Sequence, residues 1–148
     1  MTSIDSFAAK PIAIYHEHPD WFRPLFAELD RREIPYVRLD AAAHTFDPSE
    51  RTAPYSLVVN RASPSAYLRG HAQSTFYTLH WLRHVERLGI PVVNGSECYS
   101  YELSKATQLD ILESLGLPYP RSRVINDPAQ AVRAAEGLRY PVLVKANI

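Results

Sequence analysis

Apolar residues in the first hundred positions follow two alternating patterns. Four apolar runs, each too short for a helix, predict buried β-strands; they cover residues 11–15, 34–39, 55–59 and 90–93. Two longer stretches, residues 21–29 and 73–88, carry apolar residues at helical spacing. Their apolar faces contain Trp21, Phe22, Leu25, Phe26 and Leu29 in the first, and Phe76, Leu79, Leu82 and Val85 in the second, with Trp81 and Leu88 at its margins. Strands that alternate with helices predict an open parallel α/β sheet with helices on both faces.

Residues 104–148 predict a second series of elements, in the order helix, strand, helix, strand. Gly116 is expected to close the first helix, because glycine adopts the left-handed conformation that ends many helices. Asp127 is expected to cap the second helix, with Pro128 at its first position and Gln130 completing a capping box. The predicted strands are residues 123–125 and 140–145, the latter buried and ending in Lys145.

This change of pattern divides the chain into three parts. We expect residues 1–10 to be a flexible arm, because nothing in them is periodic. Residues 11–100 are expected to form the α/β domain, and residues 101–148 the beginning of a second domain, with the boundary near residues 94–101.

Composition narrows the class of protein. The 148 residues suffice for one domain or for one domain plus part of another. Sixteen basic and sixteen acidic residues cancel, which disfavours nucleic-acid and membrane partners. The sequence has no apolar segment long enough to cross a bilayer, and Cys98 has no second cysteine to pair with, so we expect a soluble, cytoplasmic protein.

The loop after the third predicted strand is the richest in polar chemistry. Parallel sheets place ligands beyond the carboxyl ends of their strands. This loop contains Asn60, Arg61, Ser63 and Arg69, which together offer guanidinium, hydroxyl and amide groups suited to a carboxylate. We expect these four residues to bind substrate, with Arg61 the strongest candidate. The alternative is a solvated loop whose arginines pair with nearby acids.

Histidines do not predict a metal site here. His16 and His18 flank Glu17 at a strand end, but a closed site needs further ligands that the sequence does not identify. His80 and His84 are one helical turn apart without the glutamate motif of a zinc protease helix. We assign no metal ligand in this chain.

Lys105 and Lys145 bracket the second series of elements. Each alone is compatible with a solvated surface charge. A strand lysine after Val142, Leu143 and Val144 is also found in protein kinases, but the five glycines form no glycine-rich loop, which excludes that family.

The order and spacing of several motifs resemble the start of an ATP-grasp domain. The matching residues are 102–105, Leu109, Leu112, 115–120 and 141–147. The similarity is greatest to RimK-type and glutathione-synthetase-like ligases, which join a carboxylate to an amine. It is strong after residue 100, rests on general architecture before it, and covers less than half of such an enzyme.

This resemblance implies a fold, a reaction and a set of ligands. Residues 11–100 would be the pre-ATP-grasp domain, and Lys105 and Lys145 would meet ATP phosphates. The parent enzyme would use ATP and Mg²⁺ to form an amide through an acyl phosphate, most simply as a RimK-like glutamate ligase. The expected partners are amino-acid, peptide or protein carboxylate and amine substrates, and a homo-oligomer is left open. Catalytic residues and metal ligands are expected beyond residue 148, so the 148-residue chain alone is expected to be inactive.

A second class of function stays open from the sequence. The α/β pattern also suits a non-catalytic, flavodoxin-like domain that binds or senses a small metabolite. A continuation past residue 148 with a glycine-rich loop and acidic ligands would favour the ligase, whereas a stop codon there would favour the binding domain.

Overall fold

A computed structural model describes residues 10–18 and 20–148 of the chain. The predicted flexible arm therefore lies, apart from Lys10, outside the described residues. The chain divides into two compact units, residues 1–100 and 101–148. No helix in the described ranges is both long enough and apolar enough to cross a membrane.

The first unit contains a four-stranded sheet in which every pair of neighbouring strands is parallel. Its strand order is β2-β1-β3-β4, which confirms the predicted open α/β sheet. The strands are β1 (Ile12–His16), β2 (Tyr36–Asp40), β3 (Leu57–Asn60) and β4 (Val92–Val93). The helices are α1 (Arg23–Arg31), a 3₁₀ helix (Pro64–Arg69), α2 (Ala72–Arg87) and α3 (Ser96–Glu102), which crosses the boundary between the units.

Two faces of β1 support two separate parts of the core. Ile14 packs with Phe26 and Leu29 of α1. Tyr15, the next residue, points to the opposite face because side chains alternate along a strand. There its ring stacks on Trp81 of α2 with centroids 4.1 Å apart, and its hydroxyl lies 3.1 Å from that of Thr78. The sheet is thus covered on both faces, as predicted.

The buried face of α2 differs from the prediction. Trp81, expected at the margin, is fully buried, whereas Phe76, expected in the core, is 67 % exposed. The buried positions include Thr75 and Thr78, so the packed face is set partly by small polar side chains that an apolar count overlooks. Trp21 is likewise 58 % exposed, because it lies before α1 begins and not on the helix's packed face.

The second unit contains the two predicted helical regions. Helix α4 (Lys105–Ser114) begins at the predicted position, and Gly116 follows it with a φ of 65°. A short 3₁₀ helix (Pro128–Gln130) leads into α5 (Ala131–Ala135). Asp127 and Gln130 form the predicted capping box.

The two strands predicted in this unit are not formed. Residues 123–125 and 140–145 have no strand assignment, and Val124, Leu143 and Val144 are exposed rather than buried. A β-strand is stabilised by hydrogen bonds to a neighbouring strand, and neither segment pairs with another among the described residues. Their apolar composition is that of strands, but the pairing that would bury them is not present.

Candidate functional site

Two loops meet at the carboxyl edge of the sheet in the first unit. The loop after β1 contains Glu17 and His18, and the segment after β3 runs from Arg61 to His71. The Arg61 amide donates to the Tyr15 carbonyl over 2.7 Å, which joins the two strands where the loops begin. The loops therefore start side by side, at the edge where parallel sheets bind ligands.

A buried carboxylate lies between these loops. The Glu17 side chain is 1 % exposed and forms an ion pair with Arg69, whose Nε lies 2.9 Å from both carboxylate oxygens. His71 Nδ1 lies 2.6 Å from Glu17 Oε1. Burial acts to raise the pKa of the Glu17 carboxyl, but the hydrogen bonds from Arg69 and His71 outweigh it and hold that pKa below its ordinary value. Glu17 is therefore an ionised, structurally fixed anion.

The turn before α2 places both partners of Glu17. Ser63 caps the 3₁₀ helix by accepting from the Ser65 amide at 3.2 Å, and its hydroxyl lies 2.8 Å from that of Ser65. Gly70 then adopts a φ of 83°, a left-handed conformation that reverses the chain between Arg69 and His71. Two residues that flank one glycine thus reach the same carboxylate.

Asn60 is held within the protein. It is buried at the end of β3, where its side-chain nitrogen donates to the Asn94 carbonyl at 3.0 Å and its side-chain oxygen accepts from the Ala62 amide at 3.0 Å. Asn94 returns a bond from its own side chain to the Asn60 carbonyl at 3.2 Å. Asn60 therefore links the loops after β3 and β4.

Arg61 differs from the other predicted substrate residues because it is exposed. Its guanidinium carbon lies 5.3 Å from the centre of the Phe22 ring. Among the described residues no carboxylate pairs with it. Of the four predicted substrate residues, Ser63 and Arg69 both contact Ser65, and Asn60 is hydrogen-bonded to Asn94. Arg61 is the member whose positive charge is not neutralised by a described carboxylate.

His16, at the end of β1, and His18, in the loop after it, both form hydrogen bonds within this segment. His18 Nδ1 accepts from the amides of Asp20 and Trp21 at 3.2 and 3.3 Å, and its ring stacks on that of Trp21. His16 Nδ1 lies 3.3 Å from the His18 carbonyl. Within residues 10–18 and 20–148, no three His, Cys, Asp or Glu side chains come together as metal ligands.

Sequence reasoning missed the roles of Glu17 and His71. From the sequence, Glu17 is weighed only as a metal ligand between two histidines, and no role is predicted for His71. A usable signal was present, since loops after adjacent parallel strands must meet and one carried an acid while the other carried Arg69 and His71. The exact pairing over more than fifty residues depends on the turn at Gly70, which composition does not specify.

In the second unit, the segment that follows Lys145 returns to the start of α4. The Asn147 carbonyl accepts from the Lys105 amide at 2.9 Å, and the Asn147 side chain accepts from the Ala106 amide at 2.8 Å. Ser104 caps the same helix by accepting from the Thr107 amide at 3.1 Å. The first amides of α4 are therefore satisfied from within the unit.

This arrangement brings the two lysine-bearing segments together. Lys105 is half-buried, and its ammonium donates to the carbonyl of Ile148. Lys145 is exposed and lies two residues before Asn147, a span of at most about 7 Å along the backbone. Two positive side chains thus originate from neighbouring segments, which is a suitable arrangement for binding an anion.

Known proteins share this fold. A RimK-domain ATP-grasp protein from Sphaerobacter thermophilus matches 88 % of the chain with a TM-score of 0.63 and 18 % sequence identity. The ATP-grasp ligase PsnB, in a complex with a minimal precursor, Mg and ADP, matches 92 % with a TM-score of 0.56 and 21 % identity. The chain spans 47 % and 52 % of those two proteins.

A short sequence match points in the same direction. It is 51 % identical over 37 residues to the carbamoyl phosphate synthase large chain, C-terminal section, of Methanopyrus kandleri, which is 25 % of this chain and 7 % of that protein. No family model matches the chain. The chain shares the fold of part of these ATP-grasp ligases, so the resemblance noted in the sequence is confirmed at the level of the fold.

Proposed function

We propose that the chain is the N-terminal part of an ATP-dependent carboxylate–amine ligase. Residues 11–100 would be its pre-ATP-grasp domain and residues 101–148 the beginning of its ATP-grasp domain. The observation that carries this proposal is the junction between Lys105 and Asn147, which holds two lysine-bearing segments together in a chain with an ATP-grasp fold.

ATP fits the second unit through its charge. When bound, ATP would supply the phosphoryl group that converts a substrate carboxylate into an acyl phosphate, which an amine then attacks to give an amide. Lys105 and Lys145 would hold the nucleotide phosphates, since neutralising phosphate charge is the main task of a protein in phosphoryl transfer. Of the two lysines, Lys145 is exposed and Lys105 is half-buried, so Lys145 is the more available cation.

Magnesium is a different case. Mg²⁺ is bound by carboxylates and phosphate oxygens, and the described ranges contain no cluster of three candidate ligands. No magnesium ligand is therefore assigned among residues 10–18 and 20–148. In the proposed enzyme the acidic ligands of the ion would lie outside these 148 residues.

The substrates are proposed from the first unit and from similar proteins. The exposed guanidinium of Arg61, beside the fixed network of Asn60, Ser63 and Arg69, suits a carboxylate-bearing substrate. The proposed reaction is that of a RimK-like glutamate ligase, in keeping with the RimK domain of one similar protein. The proposed substrates are amino-acid, peptide or protein carboxylates and amines, in keeping with the minimal precursor bound to PsnB. We place the enzyme in the cytoplasm, where ATP is supplied.

A metabolite-binding domain is the second candidate, and one observation favours it. The strand order β2-β1-β3-β4 matches the first four strands of flavodoxin-like sheets. The polar cluster around Glu17 lies at the carboxyl edge of that sheet, entirely within the first unit. Such a unit could bind a small molecule without any ATP chemistry.

An ATPase assay on the complete gene product separates the two candidates. Release of ADP would be measured while amino acids and short peptides are offered as carboxylate and amine pairs. The ligase predicts ADP release that requires both substrates and accompanies amide formation by mass spectrometry. ADP release that no pair of substrates stimulates would contradict the ligase.

A further inference from the structure

Arg61 lies at the centre of a turn that is held in place by the strands beside it. Its amide donates to the Tyr15 carbonyl of β1 over 2.7 Å, and the next amide, that of Ala62, donates to the Asn60 side chain at 3.0 Å. The Asn60 side chain in turn donates to the Asn94 carbonyl at 3.0 Å. The backbone at Arg61 is therefore fixed on both sides.

The Arg61 side chain extends from this turn to the Phe22 ring. Its guanidinium carbon lies over that ring, 5.3 Å from the centre. A cation at this distance from an aromatic face is attracted by the negative charge of the face. A long exposed side chain otherwise samples many rotamers, so this contact favours those that keep the guanidinium over the ring.

Phe22 is itself fixed because it belongs to the core. It is 6 % exposed and forms one buried cluster with Ile14, Phe26 and Leu29. The His16 ring meets the Phe22 ring at an angle, with centroids 5.6 Å apart. The Phe22 carbonyl accepts from the Phe26 amide at 3.0 Å, which ties its backbone to α1. The ring under Arg61 is therefore restrained by its packing and by its backbone.

Two other arginines lie over aromatic rings, and both use their guanidinium groups inside the protein. Arg38 lies over Phe26 at 3.9 Å and donates to a tyrosine hydroxyl of β2 at 3.0 Å. Arg69 is paired with Glu17. The Arg61 guanidinium, by contrast, forms no hydrogen bond or ion pair with any described residue. Its N–H groups, whose fork matches the two oxygens of a carboxylate, are left for a ligand.

We propose that Phe22 is a positioning residue for the substrate carboxylate. Its ring holds the Arg61 guanidinium at the carboxyl edge of the sheet, so that the N–H groups can donate to a carboxylate with little further loss of side-chain freedom. An anion is the ligand that this position favours, because no described carboxylate neutralises the charge of Arg61. This inference rests on the carboxylate-binding role of Arg61 in the proposed ligase.

The test is an acetate titration of the 148-residue chain, with acetate replacing chloride at constant ionic strength and the arginine Nε resonances followed by ¹⁵N NMR. Acetate should shift the Arg61 resonance saturably. Phe22→Leu should weaken this binding about three- to fivefold, as expected for one lost cation–π contact. Phe26→Leu is the matched control, because it removes the ring beneath Arg38 from the same core and should leave the affinity at Arg61 unchanged. Equal affinity of the two variants would overturn the role of Phe22.

A second measurement does not depend on the variants. In the free protein, ¹⁵N relaxation should show the Nε–H group of Arg61 to be more restrained than that of Arg83, an exposed arginine of α2. Equal mobility of the two groups would contradict the proposal even where Phe22→Leu fails to fold.

The titration also separates this inference from the function on which it rests. An Arg61 resonance that acetate leaves in place would remove the carboxylate site of the proposed ligase, and the role of Phe22 with it. A saturable shift that Phe22→Leu does not weaken would overturn the role of Phe22 alone.

Discussion

Glu17 shows how one side chain joins distant parts of the chain. Its buried carboxylate contacts Arg69 and His71, which are more than fifty residues away. Burying a charge costs free energy unless the charge has partners. Removing one partner of a buried ion pair therefore destabilises a protein by more than the intact pair contributes to its stability. The two loops at the carboxyl edge of the sheet should therefore depend on Glu17.

Replacing Glu17 should destabilise the protein. Glu17→Gln leaves the Arg69 guanidinium without its counter-charge, and we expect the free energy of unfolding to fall by about 1–3 kcal/mol. Urea denaturation followed by tryptophan fluorescence measures this change. Glu28→Gln is the matched control, because Glu28 pairs with Arg31 and Arg32 on an exposed surface and should matter much less. Equal effects of the two changes would contradict the role of the buried pair.

The contribution of Glu17 should also depend on pH. Its pKa is lower in the folded protein than in the unfolded chain, so the stabilisation is fully present above the unfolded value, about 4.3, and is lost as pH falls through the folded value. The difference in unfolding free energy between the unchanged protein and Glu17→Gln should therefore narrow on acidification below about pH 4.3. A difference that stays constant from pH 7 to pH 3 would rule out this linkage.

Arg61 is the exposed counterpart of this network. In the complete enzyme, Arg61→Ala should raise the KM for the carboxylate substrate about tenfold, the effect of losing one charged hydrogen bond. Arg51→Ala is the control, because Arg51 lies in the segment leading into the amino end of β3. Steady-state kinetics on both variants measures the two KM values. An unchanged KM for Arg61→Ala would exclude Arg61 from binding the carboxylate substrate.

At the scale of elements, the packing of α2 is the most informative case. Its helical spacing was predictable from periodicity, but its buried face was not. Thr75 and Thr78 occupy buried positions, and Trp81 stacks on Tyr15, so the helix is rotated relative to its apolar stripe. Hydrophobic periodicity identifies a helix reliably and its packed face less so when small polar side chains fit against a strand.

Two aromatic substitutions on α2 separate the predicted face from the observed one. Trp81→Ala should cost about 3–5 kcal/mol of unfolding free energy, because it opens a cavity beside Tyr15. Phe76→Ala, on the exposed side, should leave stability nearly unchanged. Thermal unfolding of both variants gives the answer. A larger loss for Phe76→Ala would show that α2 packs by its apolar stripe after all.

Strands in the second unit mark the limit of local sequence patterns. Residues 142–144 have the composition of a buried strand, yet Leu143 and Val144 are exposed. Composition reports what a segment would bury, whereas strand formation requires a partner. Helix caps depend on neighbours in sequence, which explains why the capping box of Asp127 and Gln130 was predictable and these strands were not.

For the whole molecule, the order of elements carried most of the information. The alternation of strands and helices predicted the parallel sheet, and the spacing of motifs after residue 100 indicated the ATP-grasp resemblance. The candidate site could be predicted only in part from the sequence. Its location followed from the topology of parallel sheets, whereas the Glu17 cluster depended on a long-range pairing.

The proposed ligase requires the second unit to take part in binding ATP. Calorimetric titration of ATP with Mg²⁺ into the complete gene product tests this claim most directly, with Lys145→Ala compared against Arg139→Ala, a nearby exposed cation. We predict clear binding that Lys145→Ala weakens about tenfold or more, as expected for the loss of one phosphate contact, and that Arg139→Ala leaves intact. Binding that is indifferent to both Lys145→Ala and Lys105→Ala, or no binding at all, would contradict a role of the second unit in ATP binding.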